Sequence, residues 1–289
     1  MLMESGPESS DQPERTGPVV PQPQGDRTFP PEPPPSNPPL PMDGDLADDI
    51  YDSRYVRGLF NEMAQTYGVV NLISSFGFAA RWRHHCLEQA RIPPGASVVD
   101  LMTGMGELCG PLARRVGPNG KILAIDLSPA MCAQARTKTR RLPCPVHVLE
   151  GDALAGLPPA GRADIVVSSF GLKTFSMDQQ RLLVAEIGRL LRPGGRVSLL
   201  EISVPPSALL RWPYLFYIER VIPWIGALFL GNPHNYRMLG VYTRAVENCR
   251  AIAAEFRQAG FDVQEKSYFF GCATGIEGIK REDPETETV

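Results

Sequence analysis

The sequence predicts an α/β fold in which helices flank a doubly wound, mostly parallel sheet. Short apolar segments alternate with amphipathic helical segments from residue 97 onward, which is the pattern of strands joined by crossover helices. In residues 98–107 an apolar strand runs directly into two glycines, which is typical of a strand that turns sharply into a helix at a ligand site. Acidic and hydroxyl side chains follow the strands, at the edge where such sheets bind ligands.

The strands and helices are predicted in strict alternation. Apolar runs place strands at 97–101, 121–126, 146–150, 164–168 and 196–201, and helical spacing places helices at 108–116, 129–140, 178–191 and 244–258. Ser128 is placed to cap the second of these helices with Pro129 in its first turn, and a Pro-Gly-Gly turn at 193–195 precedes the fifth strand. Two closing runs, 261–270 and 272–279, predict an antiparallel hairpin.

The first 48 residues differ sharply in composition from the rest of the chain. They hold 13 of the 29 prolines and few apolar residues, so they are predicted to form a disordered tail with polyproline II character. The folded domain is predicted at 49–280, with two helices in 49–92 and a helical lid in 206–243. A second disordered tail is predicted at 281–289.

Charge and cysteine usage exclude several classes of protein. The net charge is −3 with dispersed basic residues, which gives no basic surface for nucleic acid. The six cysteines include no Cys-x-x-Cys pair and the N-terminus has no signal or transit pattern, so we expect a reduced, cytoplasmic protein. The longest apolar region, 208–231, is interrupted by arginine, glutamate and proline and is too broken for a membrane span.

The side chains at the strand ends predict a nucleoside site. Asp126 ends the second strand, about 20 residues after the glycines, where a carboxylate can accept hydrogen bonds from both hydroxyls of a ribose. Asp152, after the third strand, is placed to accept a hydrogen bond from an exocyclic amine such as that of adenine. Ser168 or Ser169 ends the fourth strand.

Glu107 favours a cationic nucleoside over a dinucleotide. In dinucleotide folds the helix after the glycine loop holds a pyrophosphate at its N-terminus, and an acid in the first turn would repel that group. Asp100 and Glu107 would instead attract the amino group and sulfonium of S-adenosylmethionine. The alternative is that Glu107 is only a favourable first-turn acid in a fold without a cofactor.

Four motifs resemble those of the class I S-adenosylmethionine-dependent methyltransferases. They are Val-Val-Asp-Leu-x-x-Gly-x-Gly from Val98, Ala-Ile-Asp-Leu-Ser-Pro-Ala-Met from Ala124, Glu-Gly-Asp-Ala from Glu150 and Arg-Leu-Leu-Arg-Pro-Gly-Gly-Arg-Val from Arg189. Within that class the chain is most similar to the UbiE/Coq5 group of ubiquinone/menaquinone biosynthesis C-methyltransferases. The segments that carry this narrower resemblance are Tyr67-x-x-x-Asn71, 75–77 with Trp82, 169–172, 200–205, Tyr236-x-x-Leu239, 259–261 and 275–280.

The resemblance implies a seven-stranded sheet whose last strand is inserted antiparallel, and S-adenosyl-L-methionine as cofactor. It implies that Asp126 binds the ribose, Asp152 and Ala153 the adenine, and that Gly104 and Gly106 approach the cofactor. The cofactor-binding residues expected from the motifs are Tyr67, Asp100, Gly104, Gly106, Asp126, Leu127, Met131, Asp152, Ala153, Ser168 and Ser169. Tyr67 either closes over the methionine part of the cofactor or packs the first helix on the sheet.

The chain departs from the family at the glycine loop and on the substrate side. The family usually has a small residue followed by Gly-Gly-Thr-Gly-Asp, and this chain has Met102 and Met105 within that segment. A non-catalytic protein that retains the fold is therefore one alternative. Lys173 and Thr174 replace an Arg-Asn pair that faces the substrate in the quinone methylases, and Tyr242 replaces a serine. An oxygen or nitrogen acceptor on a secondary metabolite is therefore a second alternative.

Three residues are predicted to act on the acceptor, a small aromatic or quinone-like molecule methylated at carbon. Lys173 can stabilise a phenolate if it points inward, against the alternative of a solvated loop lysine. His234 is predicted as a base or orienting group because its unperturbed pKa is near 6.5, against the alternative of an exposed histidine. Tyr236 is the third predicted residue, because it lies in the Tyr236-x-x-Leu239 motif that resembles the family. No histidine pair has metal-ligand spacing, so no metal is predicted.

An aromatic-rich run between residues 212 and 229 bears on the partners of the protein. It is predicted to line an apolar substrate pocket and to touch a membrane surface, with packing inside the lid as the alternative. A homodimer is a further hypothesis.

Overall fold

A computed structural model of the chain describes residues 50–158, 160–229 and 231–282. The predicted tail at 1–48 and residues 283–289 of the second tail lie outside these ranges. Within them, no helix combines the length and the apolarity needed to cross a membrane.

Seven strands form one sheet. They are β1 Ser97–Leu101, β2 Lys121–Asp126, β3 Val146–Glu150, β4 Ala163–Ser169, β5 Leu191–Ile202, β6 Phe261–Tyr268 and β7 Ala273–Lys280. Their order is β3-β2-β1-β4-β5-β7-β6. The first five pair in parallel, and β7 runs antiparallel between β5 and β6. The predicted doubly wound sheet and its inserted antiparallel strand are confirmed.

Strand β5 begins earlier than predicted, because the Pro-Gly-Gly segment at 193–195 is a bulge inside the strand. Leu191 pairs with Ala163 and Arg196 pairs with Ile165, so the register shifts between these two pairs. The turn geometry expected from the glycines is present, since Gly194 has a φ of 70°, but the chain resumes pairing with the same neighbouring strand.

Ten α-helices are described. They are α1 Ser53–Met63, α2 Tyr67–Ser74, α3 Phe78–Gln89, α4 Cys109–Val116, α5 Pro129–Thr139, α6 Met177–Leu190, α7 Ala208–Phe216, α8 Ile222–Leu228, α9 Pro233–Val246 and α10 Arg250–Gln258. A π-helical turn, Tyr217–Val221, joins α7 to α8, and a 3-10 turn, Leu172–Thr174, follows β4. The predicted cap of α5 is confirmed, because the Ser128 side chain accepts a hydrogen bond from Met131 N at 3.2 Å.

Two helix predictions were wrong. In residues 50–96 three helices, not two, precede β1, because the segment between the two predicted helices itself forms α2 and buries Val70. The single helix predicted at 244–258 is broken at Glu247, which has a φ of 54°. Tertiary hydrogen bonds hold this break open: the Glu247 carbonyl accepts from Val204 N at 2.7 Å, and Cys249 N donates to Thr274 Oγ1 at 2.9 Å.

Alternate residues of the central strands face two separate cores. Val99 packs with the side chains of α6 and α10, whereas Val98 packs with those of α4 and α5. All six cysteines are free and buried, as expected for small apolar residues. A third cluster joins the N-terminal helices to α9 through residues such as Met63 and Tyr242. These helices thereby flank the carboxyl ends of the strands.

Candidate active site

A cavity lies at the carboxyl ends of β1 to β4, where the sequence predicts a ligand site. Loops after the four strands and residues of α1, α2 and α3 line it, and we call it the strand-end cavity. Eight of the eleven predicted cofactor-binding residues line it: Tyr67, Gly104, Asp126, Leu127, Met131, Asp152, Ala153 and Ser169. Asp100, Gly106 and Ser168 are described but are not among its lining residues, so their direct contact with a cofactor stays a prediction.

Two backbone donors fix the Asp126 carboxylate at the end of β2. Its Oδ2 accepts a hydrogen bond from Gly104 N at 2.7 Å, and its Oδ1 accepts one from Ser128 N at 2.9 Å. Burial raises the pKa of this carboxyl to about 6, although the two backbone donors oppose the shift. Since each carboxylate oxygen has two lone pairs, Asp126 can still accept two hydrogen bonds from a ligand.

The two glycines of the loop after β1 serve different purposes. Both have a positive φ, 59° at Gly104 and 77° at Gly106, which side-chain-bearing residues rarely adopt. A Cβ on Gly104 would lie 3.2 Å from Glu107 Oε2, whereas a Cβ on Gly106 would lie 3.3 Å from the Cβ of Ala135 on α5. Gly104 therefore borders the cavity, and Gly106 lets the loop pack closely on α5.

The methionines of this loop are accommodated by packing. Met105 is buried in a cluster with Ala64 and Met131. Met102 forms part of the cavity wall and packs on Gly171, where an added Cβ would lie 2.4 Å from the Met102 Cβ. The departure from the family pattern at Met105 therefore lies outside the lining of the cavity, and the one at Met102 shapes its edge.

Asp100 is buried at the end of β1, with 1% of its surface exposed. Its Oδ2 accepts a hydrogen bond from Thr103 Oγ1 at 2.5 Å, and its Oδ1 has no partner among the described residues. Burial raises the pKa of Asp100 to about 7, and the nearby Glu107 and Asp126 carboxylates add to the shift. A buried carboxyl oxygen without a partner is uncommon, and it lies where the sequence predicts a cationic ligand group.

The remaining strand ends supply further polar groups. Asp152 Oδ1 accepts a hydrogen bond from Leu154 N at 2.9 Å, which leaves Oδ2 facing no donor among the described residues. The Ser169 hydroxyl accepts one from Arg83 Nε at 3.2 Å. Ser168, whose side chain turns the other way on β4, has a buried hydroxyl with no partner in the described part of the chain.

A second cavity, of about 380 Å³, adjoins the first. Side chains of the helices form most of its wall, and we call it the apolar cavity; its larger lining residues include Val70, Phe76, Phe78, Trp82, Tyr214, Tyr217, Ile218, Ile222, Tyr236 and Leu239. Tyr67 and Phe170 line both cavities. The two spaces therefore meet at these rings, and the apolar cavity has the volume expected for one small organic molecule.

Lys173 points inward and lines the apolar cavity. Its Nζ lies 3.0 Å from Glu201 Oε1 and donates to the Phe170 carbonyl, while Lys173 N donates to Glu201 Oε2 at 2.9 Å. The two side chains are 4% and 0% exposed, so the alternative of a solvated loop lysine is wrong. Because an ammonium has three donors and two are occupied, one N–H remains for a ligand.

The other two predicted catalytic residues lie on α9 in different environments. Tyr236 is buried in the wall of the apolar cavity, and its hydroxyl is 2.8 Å from Thr66 Oγ1. His234 lies in the first turn of the helix, where His234 N donates to the Asn232 side chain at 3.0 Å. It is not among the described residues that line either cavity, and its role as a base stays a prediction.

Sequence reasoning missed three residues of this site. Arg83 lines the strand-end cavity and places its guanidinium carbon 4.9 Å from the centre of the Phe170 ring. Phe170 has a φ of 65°, and Glu201 is the buried partner of Lys173. A charged residue inside the otherwise apolar run Leu199-Leu200-Glu201-Ile202 was the available indication that a buried cation had to be near.

The fold can be compared with those of solved structures. A solved structure of magnesium protoporphyrin IX methyltransferase from Synechocystis superposes with a TM-score of 0.52 and 18% identity, covering 80% of this chain and 100% of that one. This likeness shows the fold alone, and it agrees with the predicted Rossmann-like methyltransferase sheet.

The sequence comparisons give higher identities than the structural one. Demethylmenaquinone methyltransferase of Thermus thermophilus is 36% identical over 215 residues, covering 74% of this chain and 96% of the relative. The ubiquinone/menaquinone biosynthesis C-methyltransferase UbiE of Hydrogenovibrio crunogenus is 30% identical over 228 residues, covering 78% of this chain and 88% of the relative. The model of the ubiE/COQ5 methyltransferase family matches residues 48–280. The resemblance predicted from the motifs is thus confirmed, and the chain belongs to the ubiE/COQ5 methyltransferase family.

Proposed function

We propose that this chain transfers a methyl group from S-adenosylmethionine to a ring carbon of a small, quinol-like aromatic acceptor. The meeting of two unlike cavities at Tyr67 and Phe170 carries the proposal. One cavity offers carboxylates and glycine backbone, and the other offers an apolar space beside a buried ammonium. The names of the relatives, which include demethylmenaquinone methyltransferase, support a quinone-type acceptor.

The strand-end cavity fits the chemical groups of this cofactor. Asp126 has free lone pairs for two ribose hydroxyls, and Asp152 has one for an adenine amine. Gly104 presents backbone without a side chain at the cavity wall. Glu107 lines the same cavity and Asp100 retains an unpartnered oxygen, so two carboxylates lie where a cationic ligand would be stabilised.

S-adenosylmethionine, when bound, supplies a methyl group on a sulfonium that needs no activation by the protein. The residues of this chain have two remaining tasks, which are to hold the acceptor in line and to stabilise charge on its oxygen. Tyr67 and Phe170 flank the junction of the cavities and would confine a flat ring there. Phe170 is held in place by a hydrogen bond from its N to the Leu200 carbonyl at 2.7 Å.

Lys173 is the residue we assign to the oxygen of the acceptor. Methylation at a ring carbon requires that a neighbouring hydroxyl ionise, because the phenolate makes that carbon nucleophilic. The ammonium is fixed by Glu201 and by the Phe170 carbonyl, so its free N–H needs no reorganisation to meet the phenolate. In an apolar wall this contact is stronger than it would be in water.

A methyl-transfer assay tests the proposal. The full chain would be incubated with methyl-labelled S-adenosylmethionine and reduced, demethylated quinones, and the product would be mapped by NMR. We expect the label on a ring carbon. A label on oxygen or nitrogen would support the second acceptor class, and no product from any quinol, phenol or amine, with no S-adenosylhomocysteine binding in calorimetry, would support a non-catalytic protein.

Peripheral membrane contact is part of our proposal for an apolar acceptor, and a homodimer stays a prediction.

A further inference from the structure

One long helical segment carries an apolar face whose large side chains are more than half exposed in the described chain. Helix α7, the π-helical turn and α8 follow one another without a break from Ala208 to Leu228. Leu209, Trp212, Phe216, Trp224 and Leu228 recur at helical spacing along it, and their exposed fractions are 85%, 73%, 53%, 66% and 63%. Soluble surfaces rarely expose so many large apolar side chains side by side.

The opposite face of the same segment lines the apolar cavity. Tyr214, Tyr217, Ile218 and Ile222 all contribute to its wall. The Tyr217 hydroxyl donates to the Ser74 carbonyl at 2.8 Å, which ties the segment to α2. A single layer of helix therefore separates the apolar cavity from the exposed side chains on the other face of the segment.

Helix α2 extends the exposed face to the cavity. Val69, Leu72 and Ile73 are exposed at helical spacing, and Phe76 follows with 77% of its surface exposed. The Phe76 ring lies 6.2 Å from that of Tyr217, and Phe76 also lines the apolar cavity. We call the exposed side chains of α2 and of the 208–228 segment together the apolar face; it reaches the rim of the cavity at Phe76.

Charge around the apolar face is positive, although the whole chain is acidic. Residues 208–246 contain four arginines and one glutamate, against a net charge of −3 for the chain. Arg244 binds that glutamate, Glu219, at 3.0 Å. Arg220 and Arg237 are exposed and form no salt bridge in the described part of the chain, and Arg220 lies four residues from both Phe216 and Trp224. Helices that lie in a membrane interface typically have this composition, with tryptophan, phenylalanine and leucine flanked by arginine.

We infer that the apolar face docks on an anionic lipid bilayer and brings the rim of the apolar cavity to the lipid. Basic side chains near an anionic surface add attraction to the burial of the apolar ones. A second copy of this chain fits the face less well, because a two-fold contact would bring the same arginines of both copies together. Docking is a binding event that does not require methyl transfer, so the two ideas can fail separately.

Tryptophan fluorescence gives a direct test. The chain has three tryptophans, of which Trp82 is buried and Trp212 and Trp224 lie on the apolar face. Vesicles of phosphatidylcholine with roughly one-third phosphatidylglycerol should shift the emission to the blue, and the chain should float with them. The shift should persist in Trp82→Phe and vanish in the double variant Trp212→Phe, Trp224→Phe.

Affinity for the vesicles separates the apolar and charged contributions. Trp212→Ser with Trp224→Ser should weaken binding about ten-fold or more. Arg220→Gln should weaken it about five-fold on anionic vesicles and leave pure phosphatidylcholine binding unchanged. Leu182→Ser, which removes an equally exposed apolar side chain on α6 (59% exposed), is the matched control and should have no effect. Circular dichroism and thermal unfolding would confirm that each variant folds.

Three results would overturn the inference. The first is that the chain floats with neither type of vesicle. The second is that the serine variants bind vesicles as well as the parent chain does. The third is that analytical ultracentrifugation shows a dimer of the parent chain, that the serine variants are monomeric, and that no protein binds vesicles. The last result would assign the apolar face to a second copy of the chain. None of the three readouts uses methyl transfer, so they leave the proposed activity to its own assay.

Discussion

Replacing Asp126 with asparagine should reduce the pH dependence of cofactor binding. Burial raises the pKa of Asp126 from 3.8 to about 6 in the free protein, so roughly nine-tenths of the molecules carry a protonated Asp126 at pH 5. If ribose hydroxyls donate to the ionised carboxylate, binding must expel that proton. Affinity should therefore fall about ten-fold between pH 7.5 and pH 5.

Calorimetry with S-adenosylhomocysteine measures this effect cleanly, because that ligand carries the ribose and adenine without the sulfonium charge. Titrations near pH 6 in two buffers of different ionisation enthalpy should show proton release on binding. Asp126→Asn should lower the affinity about ten-fold at neutral pH, as for loss of a charged acceptor, and should flatten the pH profile. An unchanged slope in the variant would assign the titration to Asp100 and refute the ribose placement.

The same shift has a consequence for the ligand-free protein. Since the pKa of Asp126 is raised on folding, its contribution to stability is fully present below pH 3.8 and is lost as the pH rises through about 6. The expected loss is about 3 kcal/mol at most, from 1.36 kcal/mol for each unit of pKa difference. Urea unfolding should show a fall that is smaller by about this amount in Asp126→Asn than in the parent chain, because the fall that comes from Asp100, whose pKa is raised to about 7, remains in both.

Two other predictions follow from packing and charge. Lys173→Met should lower kcat about 100-fold or more through loss of the phenolate contact. It should also lower the free energy of unfolding by about 3 kcal/mol, because the Glu201 carboxylate keeps its hydrogen bonds from the backbone N of residues 173 and 202 but is left buried without a positive charge beside it. Adding Glu201→Gln removes that charge but places an amide NH2 opposite one of the two backbone donors, so it should restore part of the stability in urea titrations while kcat stays low, and recovery of kcat would contradict the catalytic assignment. Gly106→Ala should destabilise the fold by about 1–3 kcal/mol, because its Cβ would press on Ala135 at 3.3 Å from a φ of 77°. Gly110→Ala, inside α4 and with its nearest neighbouring atom at 3.9 Å, should be neutral or stabilising by up to about 1 kcal/mol, and equal effects of the two substitutions would refute the packing argument.

The strand-end residues were predictable because parallel strands place their carboxyl ends at one edge. Asp126 and Asp152 follow strands whose apolar runs are unambiguous, and both line the cavity as expected. The same rule could not tell which of Ser168 and Ser169 faces the site, because neighbouring side chains of a strand point to opposite sides. The structure places Ser169 in the lining and buries Ser168.

Residues brought together from distant parts of the chain were not predictable. Arg83 meets Ser169 across 86 positions, and Lys173 meets Glu201 across 28. Neither pairing has a local pattern, since the first depends on how α3 packs on the sheet and the second on the pairing of β4 with β5. The break at Glu247 was missed for the same reason, because helix propensity continues through it and hydrogen bonds from β5 and β7 regions override that propensity.

Phe170 connects these observations. Its positive φ is strained for a bulky side chain, and the surrounding contacts hold it: its N donates to Leu200, its carbonyl accepts from the Lys173 ammonium, and the Arg83 guanidinium lies over its ring. The strained turn lets one residue face both cavities and, through its carbonyl, aim Lys173. Phe170 therefore borders both the strand-end cavity and the apolar cavity, and its carbonyl holds the Lys173 ammonium in the wall of the second.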